Sequence, residues 1–204
     1  MSNCNCEQEV KNIQERSVII TLLLINAVMF IIELTIGLLS ESTALIADSL
    51  DMLADATIYG IAFYAIGKPL IKKAKAAHLS GILQITLGLF VILEVIRRLV
   101  TGSEPDSLLM IIAGSIALVA NLICLRLISK HKNGEVHMRA SWIFSKNDVI
   151  ANLGIIISSG FVYLFDSRYP DLIIGLAISL IVIRGGILII KDASSEIAQL
   201  NSSR

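Results

Sequence analysis

Six apolar runs, each long enough to cross a lipid bilayer, leave this chain of 204 residues little choice of fold. By hydropathy they extend over Val18–Leu39, Ala44–Ile66, Ala77–Ile96, Leu108–Ile128, Ala140–Phe165 and Leu172–Ile190. A hydrocarbon core of ~30 Å takes about 20 helical residues. Lipid offers no partner to a backbone amide, and the runs lack the alternation of barrel strands, so each is expected to be a helix. Composition agrees: 55% of residues are hydrophobic and 17% charged, where soluble domains carry about 25% charge. The fold class expected is an all-α integral membrane protein with six transmembrane helices. Seventeen Lys and Arg balance seventeen Asp and Glu, so there is no basic field for nucleic acid. Three cysteines are too few for a disulfide framework.

The loops between the runs are short, which makes residues 18–190 one transmembrane domain. Residues 1–17 form an N-terminal tail without the features of a cleavable signal peptide. Residues 191–204 form a second tail, too short to fold alone. Lys and Arg are distributed thirteen to three between the two sides, with Arg184 inside the sixth run left out. That bias puts both termini in the cytoplasm, and the absence of targeting signals fits a bacterial inner membrane. The inner loops Lys68–Lys75 and Lys130–Arg139 are basic and set this topology beside the lipid headgroups.

The second run is interrupted by charge. Asp48, Asp51 and Asp55 are spaced three and four apart and share one helical face. Each costs about 2.5–3.5 kcal/mol near the bilayer centre, so such a stripe requires a compensating partner. The fifth run carries Asp148 and Asn152, again four apart. With ~1.5 Å of rise per residue, Asp51 and Asp55 lie about 10 and 16 Å below the outer boundary. Asp148 and Asn152 lie about 12 and 18 Å from the inner one. Asp148 is thereby level with Asp55, and Asn152 with Asp51, in one oxygen-rich cluster. Three carboxylates there cannot all stay ionised without a cation among them. Empty, they take up protons; loaded, they release them. One site that holds either a divalent cation or protons is the minimum machinery of a cation/proton antiporter. Pairing with basic side chains is the alternative, but only Arg184 lies deep in a span, with Lys146 near the inner end.

The run Ser42-Thr-Ala-Leu-Ile-Ala-Asp-Ser-Leu-Asp-Met-Leu-Ala-Asp-Ala56 resembles the second-helix signature of the cation diffusion facilitators. Asn26, Glu33, Asn121 and Tyr169-Pro-Asp171 match the same pattern, and the resemblance covers about Asn26 to Asp192. It implies six spans, a homodimer, and export of divalent transition metals, commonly against protons. It also implies metal ligands in a His/Asp-x-x-x-Asp pair on each of the second and fifth helices. Asp51 and Asp55 fill the first pair and Asp148 ends the second, but Phe144 stands where a ligand is expected. Asn152 is the candidate substitute, giving a metal set of Asp51, Asp55, Asp148 and Asn152. The cytoplasmic metal-sensing domain of many members is not expected here.

Other polar residues have simpler readings. Glu33, with Asn26 seven positions earlier on the same stripe, belongs either to the ion path or to bundle packing. Gln84 reads as interhelical hydrogen-bonding glue, Glu94 and Arg98 as a surface pair, and Cys124 as a small apolar residue. Cys4, Cys6, His131 and His137 could offer soft ligands on the cytoplasmic side. Ser158-Ser-Gly160 and Gly185-Gly186 suit close helix contact, within one chain or across a dimer.

The function expected is efflux of a divalent transition metal by metal/proton antiport, without enzyme activity and without a tightly bound cofactor. Zn, Mn, Fe, Co or Cd is the expected cargo; metal ions, protons, the lipid bilayer and a second copy of the chain are the expected partners. An all-oxygen site favours Mn²⁺ or Fe²⁺ more than a histidine site would. The other reading is a non-transporting scaffold subunit of a heteromeric transporter, left inactive by Phe144. An intramembrane enzyme is disfavoured, because the spans hold no Ser/His or Cys/His arrangement.

Overall fold

The computed structural model describes residues 3–65, 70–129 and 136–202. Every element in them is a helix: α1 (Asn3–Leu39), α2 (Thr43–Ala65), α3 (Leu70–Thr101), α4 (Ser107–Ser129), α5 (Val136–Phe165) and α6 (Tyr169–Ser202). The side chains of Cys4, Cys6, His137 and Phe144, and the whole of His131, lie outside the described residues.

Local chemistry sets the helix ends at the α1–α2, α3–α4 and α5–α6 turns. Glu41 takes a left-handed backbone conformation (φ 50°) and reverses the chain between α1 and α2. Ser42 follows as the N-cap of α2, its Oγ accepting the Leu45 amide at 3.1 Å. Asp106 does the same for α4, its Oδ1 accepting the amides of Leu108 and Leu109 at 2.9 and 3.0 Å. Pro170 sits in the first turn of α6, where the missing N–H costs nothing.

The hydropathy boundaries locate the apolar spans but understate the helices. α1 has 37 residues and α6 has 34, about 55 and 51 Å of helix against a core of ~30 Å. The expected tail from Lys191 onward is not a separate segment, because α6 runs unbroken to Ser202. Hydropathy marks where lipid ends, whereas the backbone continues helical wherever the polar residues that follow are compatible with a helix.

Five helices are long and apolar enough to cross a membrane. Among them α5 has the lowest mean hydropathy, 1.7 against 2.2 to 2.6. The sixth helix, α2, carries Asp48, Asp51 and Asp55 within its apolar stretch. Large apolar side chains cover the outside of the bundle, among them Leu24 and Ile31 on α1, Phe90 on α3 and Ile157 on α5. Lipid is the solvent that tolerates such a surface.

Among the described residues α2 touches each of the other five helices. α3 and α6 form the closest pair, α4 packs against both α1 and α5, and α5 also meets α6. The α3–α6 contact depends on missing side chains: a Cβ on Gly186 would stand 2.8 Å from the Gly81 carbonyl oxygen. Gly185 and Gly186 therefore serve contact within the chain, and Gln84 is buried at the same interface, beside Gly185. Gly160, by contrast, has nothing within 4 Å of a built Cβ.

Candidate metal site

The face of α2 that bears the aspartates turns into the bundle. Asp48 and Asp55 are 1% and 4% exposed, and Tyr59, one turn further in, is also buried. Asp51 is only half-buried. From α5 come Ser145, Asp148 and Asn152, from α1 Asn26 and Glu33, and from α4 Asn121, all of them buried. Apolar clusters bound this polar seam. At the inner end Ile19, Leu22, Cys124 and Ile128 pack around Tyr59; midway Met29, Met52 and Ala117 meet.

Asp55 of α2 and Asp148 of α5 are both buried in this seam and are electrostatic neighbours. Asp55 is the strongest electrostatic neighbour of Asp148, followed by Asp51 and then Asp48. Asp55 Oδ2 is buried without a hydrogen-bond partner, an arrangement costly enough to require a reason. No three of the described His, Cys, Asp and Glu side chains stand close enough together to hold an ion as they are.

Asn152 departs from the expected register. Its Nδ2 donates to the Asp148 carbonyl one turn back at 2.9 Å, and its amide lies against Asp48, not Asp51. Rise along straight axes gives depth alone; transmembrane helices tilt by about 20°, which shifts facing residues by about 3 Å, and an amide side chain reaches the rest. Glu33 of α1 also lies against Asp48. These two neighbours make Asp48 a meeting point of three helices, which the spacing on α2 alone did not reveal. The signal was present in α1: Glu33 is about 9 Å from the Leu39 end, and Asp48 about 7 Å from the Thr43 end of the antiparallel helix.

The basic residues that could have neutralised the cluster are elsewhere. Arg184 is exposed on the outside of α6, and Lys146 is exposed with its ammonium 5.9 Å from the Trp142 ring centre. Arg98 is buried, contrary to the expected surface pair with Glu94. It does bind Glu94 at 2.5 Å, but it also donates to the Glu41 carbonyl and so ties α3 to the α1–α2 turn. Cys124 packs as a small apolar residue, with the Asp148 and Asp55 carboxyls nearby.

A carboxylate beside the α1–α2 turn has a structural role that the sequence did not disclose. Asp171, fully buried in the first turn of α6, accepts the Ser42 hydroxyl and the amides of Thr43 and Ala44. It is an N-cap supplied from a different helix. Gly175 makes room for it, since a Cβ there would come within 2.9 Å of the Thr43 side chain.

A family model described as the cation efflux transmembrane domain matches residues 19–198. The chain is 25% identical over 191 residues to the metal cation efflux system protein CzcD of Cupriavidus metallidurans, covering 88% of this chain and 60% of that one. It is 26% identical over 193 residues to the zinc transporter ZitB of Pectobacterium atrosepticum, with 86% and 59% covered. It is 24% identical over 194 residues to the cadmium, cobalt and zinc/H(+)-K(+) antiporter of Bacillus velezensis, with 88% and 61% covered. The chain thus spans about three-fifths of the length of these relatives.

Proposed function

Since this chain belongs to the cation efflux family, we propose that it exports a divalent transition metal from the cytoplasm in exchange for protons. The family is one of transporters, not enzymes, and its curated relatives carry names of metal efflux proteins. The observation that carries the reading is the buried pair Asp55 and Asp148, on two facing helices, with no Lys or Arg among its described neighbours. Isolated carboxylates at that depth are retained for ion or proton traffic. Asp51, half-buried beside them, completes the ligand set as the side chains close on an ion. Protons replace the metal when it leaves, so transport of one opposes transport of the other. The cargo is zinc, cadmium or cobalt, as the relatives' names suggest, or the harder Mn²⁺ or Fe²⁺.

The chain works as a homodimer in a bacterial inner membrane, with both termini in the cytoplasm. Support for the orientation is the thirteen-to-three distribution of basic residues. Alternating access arises from rocking of the helices that bear the site against the α3–α6 pair.

Purified protein in liposomes tests the reading. A metal gradient should drive proton movement that empty liposomes lack, and Asp55→Asn should abolish it while the protein still reconstitutes. Proton flux equal to that of empty liposomes, in a preparation that is folded and inserted, would overturn it.

A further inference from the structure

We infer that the α3–α6 pair holds the phosphate headgroup of an anionic phospholipid, in the cavity bordered by Lys75, His78 and Ser194. This site is separate from the carboxylate seam and goes beyond the transport reading. The cavity measures about 460 Å³, within the about 300–1,000 Å³ usual for ligand sites. It lies one turn beyond a tight contact of the two helices. A Cβ on Gly81 would stand 2.7 Å from Ile190 Cγ1, and His78 is three residues before Gly81 and Ser194 four after Ile190. Lys75 and Ser194 are exposed and His78 half-buried. The cavity therefore opens at the surface with an ammonium, an imidazole and a hydroxyl as donors.

Depth selects a lipid. The third apolar run begins at Ala77 and the sixth ends at Ile190, which puts Lys75 about 3 Å and Ser194 about 6 Å outside the hydrocarbon. The headgroup layer occupies about 5–8 Å on each side of the bilayer. Two turns further into the membrane the same helix faces are apolar and exposed: Ile82 is seven positions after Lys75, and Ile187 seven before Ser194. Acyl chains leaving a headgroup in the cavity run along these side chains, whereas a soluble phosphate has no contact to make there.

Charge sets the sign of the ligand. Arg184, Ile187, Lys191 and Ser194 recur at intervals of three and four and form one stripe of α6, all of it exposed. A charge inside the apolar run, such as Arg184, is accommodated by snorkelling and by local thinning of the bilayer, which brings headgroups down this face. The acids at this end of α6, Asp192 and Glu196, are each two residues from Ser194, about 160° round the helix axis. A basic pocket between transmembrane helices recognises anionic headgroups in this way. A second copy of the chain is the poorer occupant, because a twofold contact sets a patch against itself, and this patch has no acid among the described residues to answer its bases.

Native mass spectrometry of the purified full chain in detergent tests the site, with phosphatidylglycerol, phosphatidylcholine of the same acyl chains, or inorganic phosphate added. Wild type should retain one phosphatidylglycerol more tightly than any phosphatidylcholine. Lys75→Gln and Lys191→Gln should each weaken that lipid about fivefold, and the two together more. Arg126→Gln, which removes an exposed charge from the last turn of α4, should leave it unchanged. Ser194→Ala changes no charge and should weaken the same lipid by a smaller factor. Equal retention of the two lipids, or a phosphatidylglycerol affinity that the Lys75 and Lys191 changes leave untouched, overturns the inference. Inorganic phosphate that displaces the lipid makes this a site for a soluble anion and overturns it too. A dimer that the paired lysine changes dissociate, with the lipid still bound, assigns the face to a second copy and does the same.

Discussion

The carboxylate of Asp171 accepts the Ser42 hydroxyl at 2.6 Å across 129 positions of sequence. The first turn of α6 thereby closes the N-terminus of the helix that carries the aspartates, where a helix most favours negative charge. The same carboxylate accepts the Thr43 and Ala44 amides at 2.6 and 3.1 Å. Asp171→Ala leaves these donors buried and unmatched, and should lower stability by about 2–4 kcal/mol. Asp171→Asn, which keeps one acceptor oxygen, should lose less. Thermal unfolding in detergent measures both; equal melting temperatures for wild type and Asp171→Ala would show that the cap contributes nothing.

Protons and metal compete for the same carboxylates in the proposed mechanism. Binding a cation to a protonated site must first release the proton, so apparent metal affinity should fall as pH is lowered from neutral to mildly acidic. The sign is fixed by the ligand chemistry, since only the ionised carboxylate binds. A calorimetric titration repeated across that range checks it, and an affinity flat with pH would separate the aspartates from proton exchange.

Two glycine positions provide a matched test of packing. Gly186→Leu places a side chain where a Cβ alone would stand 2.8 Å from the Gly81 carbonyl oxygen. Parting the α3–α6 pair should cost about 1–3 kcal/mol or more. Gly160→Ala, with nothing within 4 Å of the added Cβ, should leave the melting temperature unchanged or raise it slightly. If both variants melt together, that intrachain contact is not what holds the pair.

Much of this was legible from spacing. The three- and four-residue intervals of Asp48, Asp51 and Asp55 fixed their common face, and the cost of charge in lipid fixed that face inward. Counting rise from opposite boundaries put Asp148 and Asp55 in one cluster, and both are buried electrostatic neighbours. Lateral neighbours were harder to read, because rise gives depth and leaves tilt and azimuth open; Asn152 therefore met Asp48 instead of Asp51. Arg98 read as a surface residue from its (i, i+4) acid, yet the α1–α2 turn folds over it. The cap from Asp171 was beyond reach, since helical periodicity carries no information about a contact spanning most of the chain.

Selectivity should turn on the position four residues before Asp148. Phe144 offers no donor there, leaving oxygen ligands that favour Mn²⁺ or Fe²⁺ more than an imidazole would, although zinc remains the stronger binder overall. Phe144→His adds a nitrogen ligand and should shift the transport ratio of Zn²⁺ to Mn²⁺ upward. Competition between the two ions in liposomes, for both variants, gives the ratio directly. The same ratio in each would remove Phe144 from the determinants of ion choice.

The cross-helix cap has a mechanical consequence. At its outer end α2 is tied to α6 by directional hydrogen bonds from a buried carboxylate. At the Tyr59 end α2 is held by apolar packing around Tyr59 and by the Arg16 guanidinium over the Phe63 ring, contacts less directional than the carboxylate cap. In the proposed rocking, a helix held more firmly at Asp171 and Ser42 than at Tyr59 would pivot about that cap, and a given rotation would displace Asp55, farther along α2, more than Asp48.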